Sequence, residues 1–324
     1  MSDSTLRVAL VGAGGIGGAH KAAWAQVPSA EIVAVVDTDQ SKADAMATDI
    51  GCRGFSDHAA MLAEIGPDIV DVCTPPAMHR DPVIDALAAG TNVICEKPLA
   101  DTPGNGRAII DVADGADGLL MTAFCHRFHP PVAHLKQLID AGDLGEIGMF
   151  RNRFAGPFAG IEDVWFSNPD ISGGGCLMDT SVHSVDAFRF LVGEVRKSSG
   201  AGLTLNDKLA PKVEDTAAML LQSDSGAIGT IEASWTLQAG VNVIEVYGTK
   251  GVAEIHYWDG LPSRYKTVDT DDYAPLTEDG DRFVGELTHF ASAVRGDCEL
   301  SVTGFDGLRA VEVIYEAYMS AGLR

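Results

Sequence analysis

The chain has 324 residues, of which 46% are hydrophobic, so it is long enough for two domains that each bury a core. Its 46 acidic residues outnumber the 23 basic ones and give a formal net charge of −23. A chain with this charge repels the phosphates of nucleic acids and of anionic membranes. We therefore expect neither a nucleic acid nor a membrane as a partner.

The apolar runs and the cysteines bear on the cellular compartment. Residues 1–10 lack the charged and then apolar pattern of a secretion signal, and the longest apolar runs are far too short to span a bilayer. The six cysteines are scattered without a Cys-x-x-Cys pair, which favours reduced thiols over a disulfide framework or a structural zinc site. These features predict a cytoplasmic protein that holds no metal.

Residues 6–124 alternate short apolar runs, rich in β-branched side chains, with helical segments. The predicted strands are residues 7–11, 32–37, 69–74, 92–95 and 119–123, and the predicted helices are residues 16–26, 41–48, 58–64, 78–89 and 105–113. Nearly continuous apolar strands that alternate with helices indicate a parallel sheet covered on both faces. Residues 1–125 therefore predict a doubly wound α/β domain of the dinucleotide-binding (Rossmann) type.

The pattern changes after a helix predicted at residues 132–140. Longer strands, joined by turns such as Asp224-Ser225-Gly226, are predicted at residues 148–154, 213–223, 227–234, 241–247 and 252–258. An acidic loop at residues 269–281 and helices at residues 281–294 and 305–319 complete the chain. Residues 126–324 thus predict an α+β domain with an antiparallel sheet, whose closing helices are able to pack back on the first domain. Its own helices cover one face of such a sheet, so we expect the open face to build a homo-oligomer, a dimer or a tetramer.

A glycine-rich loop separates the first predicted strand from the first predicted helix, which is the context that a G-x-G-x-x-G signature requires. In Gly12-Ala13-Gly14-Gly15-Ile16-Gly17, the first glycine permits a tight turn, Gly14 lets the backbone approach a pyrophosphate, and Gly17 lets the helix pack on the strand. The N-terminus of that helix offers N–H groups and a partial positive charge to phosphates. Residues 12 and 14–17 are therefore candidate cofactor-binding residues.

Asp37 ends the second predicted strand, twenty residues after Gly17. An acidic side chain at this place accepts hydrogen bonds from the hydroxyls of the adenosine ribose. No Arg or Lys occurs among residues 38–40, so a 2′-phosphate would meet carboxylates and no cation. The sequence therefore predicts NAD rather than NADP, with the alternative that Asp37 only caps the next helix.

Two further segments follow predicted strands of the parallel sheet, whose carboxyl ends form the ligand crevice. Thr74-Pro75-Pro76, followed by His79, comes at the end of the predicted strand at residues 69–74, and Glu96-Lys97-Pro98 comes after the strand at residues 92–95. A lysine in a loop fixed by proline is able to present its ammonium group to a substrate hydroxyl and to stabilise negative charge. The alternative is a surface lysine beside a rigid turn.

The third group of candidates follows a run of three glycines, Gly173-Gly174-Gly175. Asp179, His183 and Asp186 are spaced by four and by three residues, so on a helix they share one face. A buried histidine oriented by a carboxylate is suited to proton transfer near neutral pH. Two alternatives stay open, namely satisfied polar groups of a helix N-terminus and a pair of metal ligands.

Together these motifs resemble the glucose-fructose oxidoreductase and inositol dehydrogenase family. The resemblance covers essentially the whole chain, through the glycine loop, Thr74-Pro75-Pro76 with His79, Glu96-Lys97-Pro98, Arg127-Phe128 and the run from Gly173 to Asp186. It implies that Lys97, Asp179 and His183 form the catalytic trio, with the histidine exchanging the hydroxyl proton. It also implies a set of cofactor-binding residues beyond the glycine loop and Asp37, namely Thr74, Pro75, His79, Glu96 and Lys97. The implied substrate-binding residues are Arg127 and the three members of the catalytic trio, Lys97, Asp179 and His183.

The expected function is an oxidoreductase that transfers a hydride between a secondary hydroxyl of a cyclitol or sugar and NAD. Two other functions stay open at this point. One is a redox-neutral enzyme that oxidises a sugar carbon transiently on a retained NAD to cleave a glycosidic bond. The other is a dinucleotide-binding sensor without catalysis, against which the intact Lys97, Asp179 and His183 argue.

Overall fold

The computed structural model describes residues 5–238, 242–258 and 260–324, and these fold into two compact units. The first unit comprises the chain up to Cys125 together with Arg282–Leu308, and the second comprises His126–Asp281 and Arg309–Arg324. The sequence predicted a second domain at residues 126–324 with closing helices able to pack back on the first. Within that range, Arg282–Leu308 belongs to the first unit.

The first unit is built on a six-stranded parallel sheet with the strand order β3-β2-β1-β4-β5-β6. The strands are β1 (Leu6–Val11), β2 (Ala30–Val36), β3 (Arg53–Phe55), β4 (Ile69–Val72), β5 (Asn92–Glu96) and β6 (Leu120–Ala123). The helices between them are α1 (Gly15–Trp24), α2 (Gln40–Ile50), α3 (His58–Ile65), α4 (Arg80–Ala88) and α5 (Pro103–Ala113). The doubly wound fold is confirmed, with β3 as a strand that the sequence analysis missed because three residues show no period.

Local signals explain where these helices begin and end. Asp39 and Asp57 cap α2 and α3 by accepting hydrogen bonds from the backbone N–H groups of the first turns. Gly51 and Gly66 end the same helices in the left-handed conformation, with φ values of 87° and 55°. The sheet they cover is largely apolar, with all of β4 and the last four residues of β1 buried.

The second unit contains an eight-stranded sheet with the order β14-β13-β12-β11-β7-β10-β9-β8. The strands are β7 (Ile147–Ala155), β8 (Val195–Leu203), β9 (Thr216–Ser223), β10 (Ile228–Ser234), β11 (Asn242–Gly248), β12 (Gly251–Tyr257), β13 (Arg264–Thr267) and β14 (Ala274–Pro275). The helices of this unit are α6 (Pro130–Asp140), α7 (Pro169–Ser172), α8 (Val182–Leu191) and the part of α10 (Gly304–Ala321) from Arg309 onward, whereas α9 (Arg282–Val294) belongs to the first unit. The strand predicted at residues 241–247 corresponds to β11, except that Val241 lies outside the described residues.

The expectation of a wholly antiparallel sheet is wrong at one pair, since β7 and β10 run parallel. All the other pairs in this sheet are antiparallel. The long connection from β7 through α8, β8 and β9 brings β10 beside β7 in the same direction, which a hairpin cannot do. The α+β domain with a mostly antiparallel sheet is otherwise confirmed.

The two faces of this sheet differ in exposure. On one face Phe150 packs edge-to-face against Phe188 of α8, with 5.5 Å between the ring centroids, and Gly200 lies against Ala317 of α10. On the other face Met149, Leu220 and Ile228 are between 42% and 51% exposed. Met149 and Ile228 are partners in neighbouring strands, and Leu220 pairs with Thr230, two residues along β10 from Ile228. Strand alternation therefore places the three side chains on the same face. We call these three residues the apolar patch.

Among the residues that the structure describes, no helix is long and apolar enough to cross a membrane.

Candidate active site

The glycine loop has the shape that a dinucleotide pyrophosphate requires. Gly12 has a φ of 112°, and a Cβ there would lie 2.5 Å from the carbonyl oxygen of Cys73. A Cβ on Gly17 would lie 1.9 Å from the carbonyl oxygen of Gly12, so the helix packs on the loop only with glycine at this position. A Cβ on Gly14 or Gly15 would meet no atom within 4 Å, so the backbone at the start of α1 borders open space. These residues therefore fit NAD, whose pyrophosphate the N–H groups of the first turn of α1 would hold.

Asp37 is anchored beside this loop. Its Oδ2 accepts a hydrogen bond from the Ala13 amide at 2.9 Å, and its Oδ1 accepts one from the Asp39 amide at 2.9 Å. The helix cap is Asp39 and not Asp37, because the Asp39 carboxylate accepts the Ser41 amide at 3.0 Å. The alternative function of Asp37 as the cap of α2 is therefore excluded, and its carboxylate stands next to the loop that fits NAD.

His79 joins the two segments that follow β4 and β5. Its Nε2 lies 2.7 Å from the carbonyl oxygen of Thr74, and its Nδ1 lies 3.0 Å from the carbonyl oxygen of Pro98. The ring is fully buried, and burial lowers its pKa although the surrounding carbonyl groups oppose this effect. The observed contacts of His79 are thus with the backbone of the two loops. Thr74 and Pro75, in the loop after β4, are partly exposed.

Glu96 and Lys97 form the turn at the carboxyl end of β5. Glu96 is 5% exposed, and its Oε2 accepts a hydrogen bond from the Lys97 amide at 2.9 Å. Its Oε1 lies 3.1 Å from Nε2 of His20, a residue of α1 that the sequence analysis missed. The Lys97 side chain is partly exposed, and the peptide bond to Pro98 is cis. The involvement of Glu96 and Lys97 in cofactor binding stays a prediction.

In the second unit the glycine run opens a local distortion that holds Asp179. Gly173 ends α7 with a φ of 77°, and residues Leu177–Ser181 form a π-helical turn that leads into α8. Such wide turns are rare and recur at functional sites. Asp179 lies in this turn and His183 lies in the first turn of α8, and both are partly exposed.

Two buried residues that the sequence analysis missed hold this segment in place. The carboxylate of Glu214, which is 2% exposed, accepts hydrogen bonds from the Gly175 amide at 3.1 Å, the Leu177 amide at 2.9 Å and the Tyr318 hydroxyl at 2.9 Å. A Cβ on Gly174 would lie 2.1 Å from the Tyr318 hydroxyl oxygen, and one on Gly175 would lie 1.9 Å from the Glu214 carbonyl oxygen. Close packing therefore requires glycine at positions 174 and 175. The only sequence signal for Glu214 was an acidic residue at the start of a predicted apolar strand.

His183 lies among aromatic rings. It stacks on His126 with 4.3 Å between the centroids and an interplanar angle of 23°, and His126 stacks in turn on Tyr257 at 5.1 Å. His183 is partly exposed and not buried as was expected, and the His126 imidazole supports its ring. Its orientation by a carboxylate stays a prediction. Partial exposure is what a group that exchanges protons with a substrate requires.

Asp186 and Arg127 form a buried ion pair. The Arg127 Nε lies 2.9 Å from one carboxylate oxygen of Asp186, and its Nη2 lies 2.5 Å from the other. The Arg127 side chain is 7% exposed and that of Asp186 is 1% exposed. This pair joins α8 to the segment before α6, so Asp186 has a structural contact that the shared helix face did not predict. The substrate-binding role of Arg127 stays a prediction.

Comparison with known proteins identifies the family. The family described as an oxidoreductase family with an NAD-binding Rossmann fold matches residues 6–124, and the GFO/IDH/MocA C-terminal domain matches residues 132–254. The scyllo-inositol 2-dehydrogenase (NAD(+)) of Bacillus subtilis is 31% identical over 96% of this chain and 92% of its own. The inositol 2-dehydrogenase of Rhizobium meliloti is 29% identical over 98% of this chain and 97% of its own.

A solved structure agrees with these matches in sequence and fold. The WlbA dehydrogenase from Bordetella pertussis, in complex with NADH and UDP-GlcNAcA, superimposes with a TM-score of 0.87 at 25% identity, covering 99% of this chain and 97% of its own. The resemblance inferred from the motifs is thereby confirmed, as is NAD as the cofactor of the first unit. The chain belongs to the NAD-dependent oxidoreductase family that combines a Rossmann fold with a GFO/IDH/MocA C-terminal domain.

Proposed function

We propose that this protein oxidises a secondary hydroxyl group of a sugar or cyclitol by hydride transfer to NAD. The observation that carries the proposal is the π-helical turn that holds Asp179 and leads to His183, both partly exposed, in a chain with an NAD-binding first unit. The names of the relatives, which are inositol and sugar dehydrogenases, support the same substrate class. Bound NAD supplies the hydride acceptor.

The residues have distinct chemical functions in this proposal. His183 takes the hydroxyl proton, because loss of a hydride converts an alcohol to a carbonyl only if the hydroxyl proton departs as well. Lys97 stabilises, through its ammonium group, negative charge that develops on a substrate oxygen. Asp179 orients or charge-stabilises the imidazole of His183.

The test is a panel of cyclitols, pentoses, hexoses and glycosides in which the formation of NADH is followed by its absorbance. A free polyol that gives a steady increase in NADH supports the proposal, provided that His183→Ala abolishes the signal. Cleavage of a glycoside without accumulation of NADH would favour the redox-neutral alternative. Binding of NAD without turnover on any member of the panel would favour the sensor.

The position of Asp37 predicts the cofactor preference. We expect NAD to be preferred over NADP by at least about tenfold, or roughly 1.4 kcal/mol, because a 2′-phosphate would face carboxylates without a cation. The double replacement Asp37→Ser with Thr38→Arg should shift the preference toward NADP, since it removes a repulsive charge and adds a phosphate partner. The ratio of kcat/KM for the two cofactors measures both effects. Asp57→Ser, which affects only the cap of α3, is the matched control, and an NADP preference in the wild type would contradict the assignment of Asp37.

The apolar patch predicts self-association. We propose that it lies in the contact of a dimer or tetramer, because the opposite sheet face is covered by the protein's own helices. Leu220→Glu together with Ile228→Glu should reduce the mass measured by light scattering, whereas Met78→Glu, at a residue of the first unit that is 50% exposed, should not. A wild-type monomer at micromolar concentration would contradict this proposal.

We also propose that the protein acts in the cytoplasm. All six cysteines are present as thiols, and burial raises the pKa of those at positions 73, 95, 125 and 176, which keeps them unreactive. Thiols of this kind are typical of proteins from reducing compartments.

A further inference from the structure

We propose that His20 is a positioning residue for Lys97, acting through the carboxylate of Glu96. His20 lies in α1, directly beyond the glycine loop, on the same helix face as Gly17 and Trp24. The inference rests on the proposed function for the importance of Lys97 and adds a residue outside the predicted site.

His20 is fully buried between two carboxylates of neighbouring strands. Its Nδ1 lies 2.9 Å from Oδ2 of Asp71 in β4, and its Nε2 lies 3.1 Å from Oε1 of Glu96 in β5. Both side-chain partners are shielded as well, since Asp71 is 0% and Glu96 is 5% exposed. A neutral imidazole donates only one hydrogen bond, so the ring satisfies both carboxylates only as an imidazolium. Hydrogen bonds between ionised partners are about twice as strong as neutral ones.

The surrounding charges favour this protonated state. Burial by itself would lower the pKa of His20, but the electrostatic and hydrogen-bond interactions with Asp71 and Cys73 outweigh burial, and the pKa is raised well above its usual range. A third buried acid, Glu286 of α9, is 0% exposed. Burial, together with the charges of Glu96 and Asp71, raises its pKa well above the usual range although His20 opposes this shift. The imidazolium thus offsets one of the two negative charges of the carboxylates that it contacts.

The second carboxylate oxygen of Glu96 contacts the turn that carries Lys97. Oε2 accepts the Lys97 amide at 2.9 Å, so the carboxylate joins the imidazole of α1 to the backbone from which the lysine side chain departs. On its other side the turn is fixed by His79, which contacts the Pro98 carbonyl group. Without His20, Glu96 would lose the partner that sets its orientation, and the amide of Lys97 would lose a fixed acceptor. Small displacements of a charged group reduce turnover strongly, because charge stabilisation depends on geometry.

The test compares His20→Gln with Trp24→Phe. Trp24 donates to Asp71 at 2.7 Å and belongs to the same buried network, but Glu96 is not its hydrogen-bond partner. Glutamine replaces the imidazolium by a neutral amide. Glu96→Gln, which keeps the shape of the side chain and weakens the contact with His20, is the second variant in case His20→Gln does not fold.

The first readout is hydrogen exchange of the peptide that covers residues 92–99, followed by mass spectrometry. The Lys97 amide should exchange at least about tenfold faster in His20→Gln, with Trp24→Phe close to the wild type. This measurement needs no substrate, so it decides on the positioning role even if the proposed function fails.

The second readout is steady-state kinetics on a substrate that the wild type oxidises. His20→Gln should lower kcat by about ten- to a hundredfold with a nearly unchanged KM for NAD, and Trp24→Phe should keep kcat within about twofold. Equal losses of kcat in the two variants, or unchanged exchange of the Lys97 amide in His20→Gln, would overturn the proposal and leave His20 as a purely structural residue.

Discussion

Replacing His183 with alanine should lower turnover by about 10² to 10⁴, with the affinity for NAD nearly unchanged. Turnover falls because the variant lacks the base that takes the hydroxyl proton. The affinity for NAD is retained because the glycine loop and Asp37, which fit the cofactor, lie in the first unit and are unchanged. Burst and steady-state kinetics on a verified substrate, together with NADH binding followed by fluorescence, separate the two effects.

The pH profile distinguishes a lost base from a distorted site. Oxidation by the wild type should accelerate with increasing pH over the range in which histidines lose their protons, between about pH 5 and 8. His183→Ala should lose this dependence, whereas Asp179→Asn should retain it with a smaller loss of turnover. Near-normal turnover of His183→Ala would mean that another group accepts the proton, and Lys97 is the first alternative to test.

Replacing Glu214 with alanine should lower the free energy of unfolding by about 3 kcal/mol or more. Three donors, the amides of Gly175 and Leu177 and the hydroxyl of Tyr318, would lose a buried acceptor, and each such loss costs about 1 to 3 kcal/mol before relaxation. Tyr318→Phe removes one of the three hydrogen bonds and should cost about 1 kcal/mol. Urea denaturation of both variants measures the two losses of stability, and the loss should be larger for Glu214→Ala. Equal stability of Glu214→Ala and the wild type would contradict the prediction.

The pH dependence of stability provides a second check on Glu214. Burial raises the pKa of its carboxyl group although the three donors oppose this shift. The folded protein therefore binds more protons at this site than the unfolded chain does, and this contribution to stability decreases as the pH rises from about 4.3, the unfolded value, through the raised folded value. Glu214→Gln should remove this part of the slope. The activity of the variant should fall as well, because the turn that carries Asp179 loses its anchor.

The sequence by itself determined the features that depend on neighbouring residues. The glycine loop between strand and helix, with Asp37 at the end of β2, predicted the cofactor, since a tight turn, a helix N-terminus and a strand end are all local. Alternation of short buried strands with helices predicted the doubly wound sheet for the same reason. The spacing of Asp179 and His183 predicted which residues belong to one segment, although not that a π-helical turn joins them.

Only the tertiary structure decided which distant residues hold these segments. The contact of His20 with Glu96 joins α1 to β5, and that of Glu214 with Tyr318 joins the segment before β9 to α10, so in both pairs the partners are far apart in the chain. Likewise, the parallel pairing of β7 with β10 and the burial of Asp186 against Arg127 depend on chain crossings that leave no periodic pattern. Periodicity reports which face of an element is buried, whereas the partner of a buried polar group is selected by packing and by the cost of leaving that group without a hydrogen bond.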